Sequence, residues 1–146
     1  MKISNAILAV GCCLFLGTKA TVAEVSQDTA IDAAVNDFLA IQETEGNQVA
    51  IEQLLQCYAS AVENTNEGKL KYCIAFDSAL IEYSYGIYLA LGDLDLQPEL
   101  SRREVGASRM IANARAAHVD NPSQYAQGIY NLAAQRLLAT VKAKYQ

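Results

Sequence analysis

The chain has 146 residues, of which 52% are hydrophobic, and its 16 acids against 11 Lys and Arg give a formal net charge of −5. That length is one domain's worth, enough to bury a real core. The acid excess argues against nucleic-acid binding, which rests on cations neutralising phosphates.

Lys2 supplies a short positive start, and residues 6–17 (AILAVGCCLFLG) form an uninterrupted apolar run. The run is too short to span a membrane and is followed by small residues, the pattern of an export signal. Thr21-Val22-Ala23 offers small residues where a signal peptidase reads them, so the mature start is placed at Glu24, with a signal peptide over 1–23 and one domain over 24–146. Ala20 offers an alternative cut. Leu8-Ala9-Val10-Gly11-Cys12 also loosely resembles a lipoprotein box, but cleavage there would leave an apolar leader on the mature chain. The short, lightly charged signal points to a bacterium, hence to the periplasm or the medium, with no stable membrane insertion after cleavage. Loss of Lys2 and Lys19 takes the charge to −7, nine cations against sixteen acids.

Past the signal, helical periodicity dominates and strand alternation is nearly absent. The expected fold is therefore all-α: a single-domain bundle of about five helices. Ile31, Ala34, Val35, Phe38 and Leu39 make the first stripe, entered through Asp28 as a cap. Gly46-Asn47 breaks the chain, and Ile51, Leu54, Leu55, Tyr58 and Val62 form the second stripe. Residues 64–68 (NTNEG) read as a turn, with Gly68 suited to a left-handed helix stop. The third helix carries Leu70, Cys73, Ile74, Leu80, Ile81, Ile87, Tyr88 and Leu91, and ends at Gly92. After a connection over 93–97, Ser101 and Glu104 have capping-box spacing for an Ala-rich fourth helix, with Pro98 as an alternative start. Asp120-Asn121-Pro122 separates it from a fifth helix whose inward residues are Tyr125, Ile129, Leu132, Ala133 and Leu137.

Cys12 and Cys13 fall in the signal, so the mature chain keeps Cys57 and Cys73. In an oxidising compartment such a pair is most simply a disulfide. The two lie at similar depth on either side of the turn, so a bridge would staple the second and third helices and contribute about 3 kcal/mol by loop entropy. Their spacing is not the Cys-x-x-Cys of redox pairs.

Asp77 falls near the centre of the third helix's apolar stripe, and a buried carboxylate must be paired or protonated. Arg136, flanked by Leu132, Ala133 and Leu137, is the matching oddity in the fifth helix. A buried Asp77–Arg136 pair is the expectation, with a general acid or base as the functional alternative for Asp77. No metal-ligand spacing, serine-nucleophile motif or phosphate loop occurs. Met110 and His118, the mature candidates for haem ligands, share one helix and cannot flank a haem. No cofactor is expected.

From Glu24 to Glu67 there are nine acids and no Lys or Arg; from Lys69 onward there are nine cations against seven acids. The arginines of the second half could face the acids of the first inside the molecule. Alternatively, Asp32, Asp37, Glu52 and Glu63 with Tyr72 and Tyr83 form a surface for a basic partner. The functional expectation is a small exported, non-catalytic protein that binds a basic periplasmic or secreted protein, as an inhibitor or immunity-type factor. The alternatives are a periplasmic stress protein or chaperone and an enzyme of unknown class.

Overall fold

The periodic stretches become five α-helices, and no strand occurs among the described residues. The computed structural model describes residues 28–145; the expected signal peptide, its alternative cuts and Cys12 lie outside them.

Helix α1 (Thr29–Thr44) buries Ile31, Ala34, Val35 and Phe38. Asp28 occupies its N-cap position but makes no side-chain cap bond. Its carboxylate instead accepts from Lys71 Nζ at 2.9 Å, which ties the start of α1 to the third helix. Gly46, at φ +87, supplies the left-handed residue that lets α2 (Asn47–Glu63) fold back. The next turn differs from expectation. Thr65, not Gly68, is left-handed (φ 48), and Asn66 accepts from the Lys69 backbone N–H at 2.9 Å. An Asn cap satisfies an orphan donor and starts α3 (Glu67–Leu91) before Gly68, which therefore lies inside the helix. Cys57 and Cys73 form the expected disulfide across this hairpin, with Cα atoms 5.7 Å apart.

Helix α3 is the hub. Every residue from Cys73 to Ile81 is buried, and α3 touches each of the other four helices. A helix buried all round needs small residues among large ones, which Ala75, Ser78 and Ala79 provide. It ends where foreseen, at Gly92 (φ +74), whose successor's N–H returns to the Tyr88 carbonyl. Residues 93–102 then make two 3-10 turns, Leu94–Leu96 and Glu99–Ser101. The expected capping box does not form: α4 (Arg103–Ala116) has Arg102 at its cap, and the Ser101 hydroxyl donates to the Pro98 carbonyl instead. Pro122 opens α5 (Pro122–Tyr145).

Pairings fix the directions. Asp32–Arg136 and Glu43–Lys144 run in the same order along α1 and α5, so these helices are parallel. Asp77–Arg109 and Glu82–Arg103 run in opposite order, so α4 is antiparallel to α3. Four residues expected in the core are outside it: Leu55 (47% exposed), Ile87 (40%), Leu91 (70%) and Leu132 (40%).

At the α3–α4 contact a Cβ added to Gly106 would lie 2.1 Å from Ile81 Cδ1, in a fully buried side chain. Overpacking costs about 1–3 kcal/mol, against a helix-propensity gain of about 1 kcal/mol, so Gly106→Ala should destabilise. A Cβ at Gly86 meets nothing within 4 Å, so Gly86→Ala should stabilise by about 0.5–1 kcal/mol. Urea melts of the two variants should therefore move in opposite directions.

Candidate functional site

Asp77 is fully buried, and its partner is Arg109 rather than Arg136. The Arg109 guanidinium donates to both carboxylate oxygens, with Nε at 2.9 Å from Oδ2. Tyr58, from α2, donates its hydroxyl to the same Oδ2 at 2.9 Å. Arg109 also donates to the Leu100 carbonyl at 2.8 Å, drawing in the connection that precedes α4. Burial pushes the Asp77 carboxyl above the ordinary carboxylate range, while Arg109 and then Tyr58 pull against it. Three donors and no acceptor face its oxygens, so the ionised carboxylate is the form this contact set fits. With those donors in place, Asp77 has no free lone pair aimed at solvent for acid–base work.

Arg136 lies on the side of α5 that meets α1, where its Nε sits 3.1 Å from Asp32. Arg109 could have been suspected from sequence, because it adjoins Met110 on the small-residue stripe Gly106–Met110–Ala114. What the sequence lacked was which helix crosses α3 opposite Asp77.

A second polar cluster, not singled out from sequence, lies farther along α3. Arg103 makes a bidentate pair with Glu82, at 2.9 and 2.7 Å, and its guanidinium stacks over the Tyr85 ring at 3.6 Å. Tyr130 on α5 donates its hydroxyl to the same Glu82. This cluster joins α3, α4 and α5 at the rim of the bundle.

The six residues expected at a partner surface do not form one patch. Asp32 is paired with Arg136, and Asp37 accepts from the Tyr72 hydroxyl at 2.8 Å, so Asp37 and Tyr72 do come together. Tyr83 packs edge-on against Phe38. Glu52 and Glu63 are exposed on the outward side of α2, eleven residues apart and so in line along the helix. Leu55, Gln56 and Ala59 lie between them, all exposed. The cation that reaches onto α2 is Lys69, whose ammonium donates to Ser60 Oγ at 2.7 Å. Beside that contact a hollow of about 510 Å³ is lined by Gln53, Gln56, Cys57, Ser60, Lys69 and Tyr72, together with Phe76. The intramolecular alternative holds in part: Asp28, Asp32 and Glu43 pair with Lys71, Arg136 and Lys144.

His118 stands past the end of α4 at φ 60, exposed, with its backbone N–H on the Arg115 carbonyl. Among the described residues no group of three His, Cys, Asp or Glu side chains is placed to hold a metal ion, and no helix is long and apolar enough to cross a membrane. Comparison with protein-family models, with curated proteins and with solved structures finds no match to this chain.

Removing one member of the Asp77 pair leaves the other buried and unpaired. Asp77→Ala should cost roughly 3–5 kcal/mol. Combined with Arg109→Met, the total should fall below the sum of the single changes by on the order of 1 kcal/mol, whereas combination with Arg136→Ala should be additive. Denaturant melts of this double-mutant set check both statements.

Tyr58, Tyr72, Tyr125 and Tyr130 all hold their protons above the ordinary value of 10.0, first through burial and then through neighbouring carboxylates or hydrogen bonds to them. Tyr125 is pushed up to about 12. The sign follows from linkage. A raised folded-state pKa contributes stability that is fully present below pH 10 and is lost as pH rises through the folded values. Thermal stability should fall steadily in that alkaline window. In a spectrophotometric titration, part of the phenolate absorbance should appear only as the protein unfolds.

Proposed function

We propose that this protein is a small exported, non-catalytic binding protein that engages a basic partner protein through the outward side of α2, as an inhibitor or immunity-type factor. The observation that carries this reading is the exposed stripe Glu52–Leu55–Gln56–Ala59–Glu63, which spans about 16 Å of helix and has an apolar residue between two acids. An apolar centre within a polar rim is the usual anatomy of a protein interface. Neither α1 nor α2 contains a Lys or Arg, so acids dominate the field over this side, with Lys69 of α3 reaching it at Ser60. The adjoining hollow beside Tyr72 could take one side chain of a partner. The Cys57–Cys73 disulfide agrees with an oxidising compartment, which supports the export reading.

Binding to a basic lysozyme, with poly-lysine and an acidic protein as controls, tests the proposal by surface plasmon resonance. The basic folded protein should bind with an on-rate that falls steeply with salt. Glu52→Lys with Glu63→Lys should cut that on-rate by on the order of tenfold, with the melting temperature unchanged because neither acid holds an ion pair. A panel of basic periplasmic enzymes extends the search if lysozyme itself is not the partner. Binding across that panel that ignores both salt and charge reversal would retire the electrostatic reading.

A further inference from the structure

Helices α3 and α5 leave a groove of about 610 Å³ between their C-terminal halves. Its walls come from these two helices alone: Gly86, Ile87 and Ala90 on one, Ala134, Leu138 and Val141 on the other. Helix α4 does not cover it, because α4 begins at Arg103, which is held on Glu82 at one end of the groove, and runs away from there. A Cβ at Gly86 would meet nothing within 4 Å, so the floor is open. Ile87 is 40% and Leu138 56% exposed along the rims. Apolar surface left open in this way marks a binding site, and the volume is that of a small-ligand pocket.

The charge pattern selects the occupant. Among the described residues, Glu82 is the one charged residue lining the groove, and its carboxylate is already engaged by Arg103 and Tyr130. At the other end, Lys142 continues the α5 stripe Gln135–Leu138–Lys142, three and then four residues on, and so lies at the groove's mouth. Lys142 is exposed, and no acid among the described residues pairs with it. Between the two ends, from Glu82 to Ala90, the floor runs for about 12 Å over small residues with larger walls, which suits an unbranched chain. We infer that this groove binds a free single-chain anionic amphiphile of the fatty-acid class, its acyl chain over Gly86 between Ile87 and Leu138 and its carboxylate at Lys142. This site is separate from the acidic side of α2 and stands or falls independently of it.

Calorimetric titration of the mature protein with octanoate, decanoate and laurate, each below its micelle concentration, tests the proposal. Dodecanol and dodecyltrimethylammonium serve as neutral and cationic probes. Affinity should rise about threefold to fourfold per added methylene, and laurate should bind at least tenfold more tightly than the cationic probe. Gly86→Leu, whose Cβ meets nothing within 4 Å and whose longer side chain would fill the groove, should abolish binding without lowering the melting temperature. Lys142→Glu should weaken laurate about tenfold and leave dodecanol unchanged, and Glu52→Lys should affect neither. Equal affinity for all three head groups, unchanged laurate binding in Gly86→Leu, or no laurate binding at all would overturn it. So would self-association, or adhesion to anionic vesicles, that Gly86→Leu abolishes in a protein that does not bind monomeric laurate.

Discussion

A carboxylate in the middle of a helical stretch that is buried on every side must be answered by that helix's neighbours. Moving a carboxylate out of water costs several kcal/mol even after relaxation, and Asp77 has no exposed surface with which to recover it. The answer comes from two helices at once, Tyr58 on α2 and Arg109 on α4, with Leu100 holding the guanidinium from the far side. On another side of α3, Phe38 of α1 packs edge-on against Phe76 and Tyr83, so α1 is held by apolar contact. The polar centre fixes the positions of the two helices antiparallel to α3. The disulfide lies one helical turn away, where Cys73 is bonded to Cys57, the residue that precedes Tyr58. Covalent and ionic constraints therefore act on one seam, and each limits the sliding that would break the other.

Charge outside this centre sorts by the same geometry. At the start of α1 and along it, Asp28, Asp32 and Glu43 meet cations of α3 and α5, at Lys71, Arg136 and Lys144, while Asp37 accepts from the Tyr72 hydroxyl. Surface pairs of this kind contribute at most about 1 kcal/mol each, so their role is to neutralise a side more than to hold the fold. Helix α2 has no such neighbour on its outer side. Its acids stay exposed because none of the described helices packs over that outer side, and Leu55 stays exposed among them for the same reason.

Much of the fold could be read from local signals. Period and breakers located all five helices, and the cysteine positions relative to the turn located the disulfide, because these depend on neighbours in sequence. Misplacements arose wherever a distant contact decided the outcome. Asp28 looked like a cap, but Lys71 claims its carboxylate. Ser101 and Glu104 had capping spacing, but the chain there is bent into a 3-10 turn that delivers Leu100 to Arg109. Leu55 and Leu132 belonged to apolar stripes, yet none of the five described helices covers them. Asp77 was recognisable as an anomaly from its stripe alone, whereas its partner was not. Arg109 and Arg136 both border apolar stripes, and only the packing of α4 across the centre of α3 distinguishes them.

That packing also explains where the molecule is left open. On α4, Arg103, Gly106 and Arg109 recur every three residues and so lie along one side, two guanidinium groups flanking a residue without a side chain. The guanidiniums clamp Glu82 and Asp77, five residues apart on α3, while Gly106 lets Ile81 approach between them. Two bidentate pairs with a close contact between them allow one register, because a shift by one turn would leave Asp77 unpaired and drive a side chain into Ile81. In that register α4 starts level with Glu82. The final turns of α3, from Tyr83 to Leu91, and the matching part of α5 then extend beyond the helix that would have covered them. The open groove is thus a consequence of how the buried carboxylate is satisfied: the interaction that sets the centre of the bundle also determines which apolar surface stays exposed.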